Sequence, residues 1–225
     1  MKNYMKMRPF TFLVFTLLVA GCATFRSGVD GRYEVEPTKN FNAKRVDVGF
    51  ILSHYFQVKG LDVIPKLEKQ HTRISGFDDI FIDALKEFSN IKHYATFTNF
   101  SSDVNDPKRR QLKDSILNSN DYILEIEILK QRSFSKNFFG VMGSVVTATI
   151  IPIPYRFKYS FKVDVYDKNH SLVKTYSRYA TVTKWVETFF IFLYPFYPEK
   201  REKEELYVDC LHDIFRQIES EKILQ

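Results

Sequence analysis

The chain has 225 residues, with 33 lysines and arginines against 27 aspartates and glutamates and a formal net charge of +6 at pH 7. Three of the cations, Lys2, Lys6 and Arg8, precede an apolar run, so the rest of the chain has 30 basic and 27 acidic side chains, which argues against nucleic-acid binding. The two cysteines, Cys22 and Cys210, exclude a disulfide framework, and the length suits one domain with its own core.

Residues 1–21 have the layout of a cleaved secretory signal peptide. Their basic start is followed by an apolar run of 11 residues, Phe10 to Ala20, and small residues precede Cys22. A transmembrane helix needs roughly 20 apolar residues to cross ~30 Å of hydrocarbon. This run is therefore too short for a permanent membrane span.

The segment Val19-Ala20-Gly21-Cys22 resembles the lipobox of bacterial lipoproteins, with Val where Leu is commonest. The resemblance implies that residues 1–21 are removed, that the sulfur of Cys22 carries a diacylglycerol, and that the new amino terminus is acylated as well. Two or three acyl chains hold a protein durably at a membrane, whereas one chain binds only marginally. The resemblance therefore predicts a membrane partner, reached through lipidated Cys22.

The residues after Cys22 bear on sorting and on the start of the fold. Ala23 and Thr24 follow it, without an aspartate in the second position, which in enterobacterial-type lipoprotein sorting favours the outer membrane over the inner. Polar composition, with Gly28 and Pro37, predicts a flexible tether over residues 22–42. Residues 43–225 are predicted to form a single domain.

Hydrophobic periodicity predicts the elements of this domain. Apolar residues alternate with polar ones from Val46 to Leu52, which is the pattern of a strand. Between Phe77 and Phe88 they recur at steps of three and four, which is the pattern of a helix. In chain order the predictions are strand 45–53, helix 75–88, strand 93–100, helix 106–117, strand 122–130, strand 156–166, strand 172–186 and helix 202–222.

This element order predicts an α+β fold with a mixed or antiparallel sheet of about five strands, covered by helices on one face. The last two strands flank a turn at 167–170 and are expected to form an antiparallel hairpin. In element order the chain resembles small lipoproteins that assist outer-membrane export and assembly, such as the lipopolysaccharide-assembly and curli-secretion lipoproteins. Residues 121–198 also resemble a group of uncharacterised bacterial lipoproteins.

Two apolar stretches are the candidates for function. Residues 137–155 carry no charge, but Pro152 and Pro154 shorten the usable helix, and residues 189–198 are largely aromatic. Each stretch could be buried in the core, lie in the membrane leaflet, or contact an envelope protein or a second copy of the chain. The residues predicted to contact membrane or partner are Phe138, Phe139, Val141, Met142, Trp185, Phe189, Phe190 and Phe192.

Catalytic motifs are absent from the sequence. The histidines are scattered, with no His-Glu-x-x-His run, and neither Cys-x-x-Cys nor Gly-x-Ser-x-Gly occurs. The sequence therefore predicts a protein with no catalytic role, metal or cofactor, acting in envelope assembly, transport or partner binding. One alternative is a carrier of lipid or another hydrophobic ligand, which needs an apolar cavity. Another is an envelope hydrolase, which needs a pocket with convergent polar groups.

Overall fold

The computed structural model describes residues 21–35, 39, 42–59, 70–71, 74, 76–133, 138, 142–143, 153–187 and 198–224. Within them the chain forms one mixed sheet and three α-helices, which confirms the predicted α+β class. The five predicted strands and three predicted helices are all present. In chain order the elements are β1 Gly21–Arg26, β2 Val46–Lys59, β3 Gln70–His71, α1 Phe77–Leu85, β4 Ile91–Thr98, a 3₁₀ turn Ser101–Asn105, α2 Pro107–Ser119, β5 Tyr122–Ser133, β6 Ile153–Asp167, β7 Leu172–Glu187 and α3 Glu199–Ser220.

The strands follow the spatial order β1-β7-β6-β5-β2, and the second edge of β2 pairs with β4 and, near its end, with β3. β2 is parallel to both β4 and β5, whereas the other pairs among the described strands are antiparallel. A tight turn cannot join parallel neighbours, so crossover connections must link β2 to β4 and β4 to β5. The first crossover contains α1 and the second contains α2.

β6 and β7 form the predicted antiparallel hairpin and stay paired along nearly their whole length. Its turn is built on Asp167, whose carboxylate accepts the backbone N–H groups of Asn169 at 2.8 Å and Ser171 at 2.9 Å. His170 adopts the left-handed region, with φ 58. Aspartate favours such turns because its side chain bonds to the backbone two residues further on.

The core lies between α1, α3 and one face of the sheet, which we call the core face. Aromatic rings fill much of this interface, with ring centroids 5.0 Å apart for Phe50 and Phe81 and 4.9 Å apart for Phe88 and Phe215. One apolar stripe of α3 is buried against the sheet. Its members are Leu206, Tyr207, Cys210, Leu211, Ile214 and Ile218.

The prediction that the helices cover one face is wrong for α2, which lies on the opposite face of the sheet. A Cβ atom added to Gly49 would lie 2.9 Å from Cγ2 of Ile116 in α2 and 2.7 Å from Cδ1 of Ile123. The reason is topological. The chain moves from β2 to β4 in one direction and from β4 back past β2 to β5 in the other, so two right-handed crossovers place their helices on opposite faces.

The flexible tether predicted for residues 22–42 is also corrected, since its first part joins the sheet. Residues 21–26 form β1 on the edge of β7, and Asp30 makes a further bridge with Tyr179. The backbone N–H of Tyr33 donates to the carboxylate of Asp213 in α3, at 3.1 and 3.2 Å. Without β1, the edge of β7 would expose unpaired N–H and C=O groups. With β1 and the two-residue β3 added to the five predicted strands, the described sheet has seven strands.

Candidate functional site

Five strand termini meet at one end of the sheet, which we call the anchor end. Cys22 at the start of β1 is paired with Val186 near the end of β7, and Val186 is paired on its other side with Ile153 at the start of β6. β2 and β5 end together at the pair Lys59 and Ser133. Since β5 and β6 are antiparallel, the end of β5 lies at the same end of the sheet.

Both apolar stretches leave the sheet at the anchor end. Residues 137–155 lie between the end of β5 and the start of β6, and their last three residues belong to β6. Residues 189–198 begin two positions after the last residue of β7 and precede α3. The connectivity therefore brings the attachment points of both stretches to the end of the sheet that carries Cys22.

The predicted contact residues fall into three groups. Trp185, in β7, is half-buried and stands in register between Ala23 and Pro154. Phe138 and Met142 are helical and expose 47% and 51% of their surface. The remaining predicted contacts lie outside the described residues: Phe139, Val141, Phe189, Phe190 and Phe192.

The core face becomes charged as it approaches the anchor end. In β5 the buried positions 124, 126 and 128 are followed at the same two-residue spacing by Lys130 and Arg132. In β7, Lys184 follows buried Val182, and in α3 the stripe that contains Tyr207 continues toward the helix start through Lys203. We call Lys130, Arg132, Lys184, Lys203 and Glu199 the basic cluster.

Glu199 is the carboxylate within this cluster. It accepts a hydrogen bond from Lys184 at 2.9 Å and another from Lys203. Burial alone would raise the pKa of Glu199, but the hydrogen bonds from Lys203 and Lys184 lower it to about 2. Glu199 is therefore ionised at neutral pH, and its charge is matched by two lysines.

Lys130 lies among aromatic rings. Its Nζ atom is 4.5 Å from the ring centroid of Phe157, 5.8 Å from that of Phe56 and 5.9 Å from that of Tyr159. Burial is the main cause that lowers the pKa of Lys130 to about 8, and repulsion from Lys203 also lowers it. The ammonium group of Lys130 is thus partly shielded from water and lies close to other cations.

Arg26 fixes β1 to α3 beside the basic cluster. Its guanidinium contacts Asp209, lies 3.3 Å from the carboxylate of Glu205 and lies 3.8 Å from that of Glu202. The side chain of Arg26 is 27% exposed, so these ion pairs are only partly screened by water. The strand that begins with Cys22 is thus tied to the fold by side chains as well as by its ladder.

The histidines occupy separate environments in the described structure. His54 packs against the ring of Phe77, His93 lies 2.9 Å from a carboxylate oxygen of Asp47, and the nitrogens of His212 contact Glu87 at 2.7 Å and Asp83 at 3.2 Å. No group of three or more His, Cys, Asp or Glu side chains suited to a metal ion occurs among the described residues.

Several clefts lie outside the core among the described residues, and two of them border candidate functional residues. One, of about 620 Å³, borders the start of α1 and is lined by residues that include His54, Phe77, Phe100 and Arg109. Arg109 is already engaged there, because its Nε donates to Asp103 at 2.6 Å. The other cleft, of about 470 Å³, lies near the anchor end on the face opposite the core. Its lining includes Phe25, Arg156, Lys158, Thr183 and Trp185.

In the part of the chain that the structure describes, no helix is both long enough and apolar enough to cross a bilayer.

No protein-family model and no curated protein matches the chain. Among solved structures, the chain is similar to a PelC dodecamer from Paraburkholderia phytofirmans, with 10% identity and a TM-score of 0.33 over 86% of this chain and 96% of that one. A second PelC dodecamer from the same organism gives 8% identity and a TM-score of 0.30, over 87% of this chain and 98% of that one.

Proposed function

We propose that the protein is a lipoprotein of the bacterial cell envelope, anchored through acylated Cys22 and sorted to the outer membrane, with its fold facing the periplasm. It has no catalytic role. It acts in envelope assembly or transport by binding a partner through an apolar surface at the anchor end, next to the membrane. The partner is another envelope protein or a second copy of the chain.

The observation that carries this proposal is the register of β1. Pairing of Cys22 with Val186 keeps the lipid-bearing residue at the end of the sheet from which both apolar stretches leave. Anchoring through Cys22 therefore brings those stretches to the bilayer surface without any movement of the domain. Exposed apolar side chains such as Phe138 and Met142 are unfavourable in water but suit a membrane or partner contact.

A carrier of lipid or another hydrophobic ligand is the second candidate, and the cleft beside α1 favours it. Phe77, Phe97, Phe100 and Leu112 give part of its lining an apolar character. Between the core face and the helices, in contrast, the described aromatic side chains pack ring against ring. A carried ligand would therefore lie beside α1 rather than inside the core.

Lipidation is tested by replacing each cysteine in cells grown with labelled palmitate. We expect Cys22→Ser to abolish the label and to leave uncleaved or misrouted protein, because serine cannot form the thioether that holds the diacylglycerol. Cys210→Ser is the matched control and should keep the label, since Cys210 is buried in the core. Normal labelling and membrane attachment of the Cys22→Ser variant would overturn the proposal.

A further inference from the structure

The basic cluster contains more positive than negative charge. Lys184 and Lys203 donate hydrogen bonds to Glu199, Lys130 interacts electrostatically with Glu199, and Arg132 lies close enough to Lys130 to repel it. Lys184 and Lys203 already share that carboxylate, whereas no ion pair joins Lys130 or Arg132 to a carboxylate within the described ranges. Half-buried cations without a counter-ion are unfavourable, because desolvation is not offset by Coulomb attraction.

The arrangement is not explained by packing alone. The rings around Lys130 and Arg132 offer partial compensation, with the guanidinium carbon of Arg132 lying 5.6 Å from the ring centroid of Phe56. An apolar side chain at position 130 would continue the buried row of β5 without the cost of dehydrating a charge. The presence of a cation at position 130 therefore suggests that its charge interacts with an anionic group outside the described residues.

Two further donors at the cluster lack acceptors. The hydroxyl of Tyr159, a residue only 1% exposed, and the buried Nε–H of Arg132 have no hydrogen-bond partner among the described residues. Tyr159 belongs to the same place, since its ring lies 5.9 Å from Lys130 Nζ and it interacts electrostatically with Glu199. Buried donors without acceptors are rare and costly, so an acceptor-rich group is expected nearby.

We infer that the basic cluster is a binding site for an oxyanion of the phosphate type. Lys130 and Lys203 would supply point charges, and the Arg132 guanidinium and the Tyr159 hydroxyl would supply directed donors to the phosphate oxygens. Because the cluster lies at the anchor end, a lipid phosphate at the membrane surface can reach it, and so can a soluble phosphate ester. The site does not depend on acylation of Cys22, so its failure would leave the lipoprotein proposal untouched.

The test uses the chain from Cys22 onward with Cys22→Ser, so that among the described residues only Gly21 is removed and only Cys22 is changed. Binding of inorganic phosphate is measured by calorimetry at neutral pH. We expect Lys130→Met and Lys203→Met each to weaken phosphate binding about tenfold, which corresponds to the loss of one charge-assisted hydrogen bond. Lys158→Met is the matched control, because Lys158 follows Phe157 in β6 but is exposed on the opposite face. It should leave binding unchanged.

Thermal unfolding distinguishes a binding site from a purely structural network. We expect the Lys130→Met variant to melt at a higher temperature than the parent while it binds phosphate less tightly. A variant that melts at a lower temperature and binds phosphate as the parent does would overturn the inference. Equal loss of binding in the Lys130→Met and Lys158→Met variants would also overturn it, because general charge attraction would then suffice.

Vesicles identify the source of the phosphate. Binding to phosphatidylcholine vesicles mixed with phosphatidylglycerol, with loss in the Lys130→Met variant, supports the site and identifies a lipid phosphate. Binding of inorganic phosphate without vesicle binding supports the site and identifies a soluble phosphate ester. Absence of both, in a chain that unfolds cooperatively, refutes the site.

Discussion

Gly49 is the residue at which the sheet makes room for α2. Because it has no side chain, Ile116 of α2 and Ile123 of β5 can both lie against the backbone of β2. Asn120 closes the same contact, with its Nδ2 donating to the carbonyl of Ile116 at 2.7 Å. The requirement at Gly49 is for space, since its φ is not in the left-handed region.

Replacing this glycine should therefore destabilise the fold. We expect Gly49→Ala to lower the free energy of unfolding by about 1–3 kcal/mol, the usual cost of overpacking. The double variant Gly49→Ala/Ile123→Val should recover part of the loss, because the 2.7 Å clash is with the Cδ1 atom that valine lacks. Urea unfolding measures both. Gly28→Ala, at a position with no heavy atom near the added Cβ, is the control, and an equal loss there would contradict this explanation.

At the scale of elements, a buried ion pair joins β7, α3 and the N-terminal segment. Arg178 donates from Nε to Asp213 at 2.5 Å and from Nη2 to Gln217 at 2.6 Å, and the side chains of Arg178 and Asp213 are only 4% and 5% exposed. Asp213 also accepts the backbone N–H of Tyr33. The pair thus connects three parts of the chain that are far apart in sequence.

Replacing only Arg178 should lower the free energy of unfolding more than replacing both Arg178 and Asp213. We expect Arg178→Met to lower the free energy of unfolding by about 3–5 kcal/mol, because the carboxylate of Asp213 stays buried without its counter-ion. Arg178→Met/Asp213→Asn should be more stable than Arg178→Met, since no buried charge remains. The control is Lys174→Met, whose exposed pair with Glu221 should contribute at most about 1 kcal/mol. A double variant less stable than Arg178→Met would contradict the prediction.

Sequence periodicity predicts five of the seven described strands and the three described α-helices, but it does not predict β1, β3 or the arrangement of the sheet. Alternation in β2, β5, β6 and β7 follows from which side chains face the core, and that signal is local. The pairing of β1 with β7 is not, because Cys22 and Val186 are far apart in the chain and the polar residues after β1 resemble a linker. In α2 only Ile116 is buried, and Leu112, one turn earlier in the same helix, is 51% exposed.

The basic cluster could have been found from the sequence. Lys130 and Arg132 follow the buried positions of β5 at the same two-residue spacing. The alternation therefore predicts that both cations lie on the core face. That observation indicates an unusual site because inward-facing charges are rare. What sequence could not supply is the approach of Lys184 and Lys203, which depends on how α3 packs across β7.

As a whole, the molecule has two ends of different character. The anchor end contains the start of β1, Trp185 and the basic cluster, whereas the other end contains the polar turn at 167–170. Exposed apolar pairs occur in both halves of the chain. Phe138 and Met142 belong to the stretch that leaves the anchor end, and Leu172 and Val173 follow the polar turn, with 56% and 46% of their surface exposed.

This polarity predicts which apolar pair matters for membrane contact. Trp185 is the single tryptophan of the chain, so its emission reports on the anchor end. We expect vesicles to shift that emission to shorter wavelength, and titration of this shift with vesicles gives an apparent affinity. The double variant Phe138→Ser/Met142→Ser should lower that affinity about tenfold, because apolar area that contacts the membrane is lost. Leu172→Ser/Val173→Ser, the equally exposed pair at the other end, should leave it unchanged. Equal effects of the two double variants would refute an oriented contact.

Docking of β1 also determines how far the protein can reach. A flexible tether of about 20 residues would allow the domain to move up to about 65 Å from the bilayer and to rotate freely. With Cys22 held in the ladder between β1 and β7, the domain could not move away from the bilayer in this way. β7, with 16 residues, spans about 50 Å. If Cys22 is acylated as proposed, the turn at the start of β7 would therefore stand at a nearly fixed distance from the lipid headgroups. A protein acylated at Cys22 would therefore hold its far end at one distance from the membrane, and that end could bind only partners present at that distance.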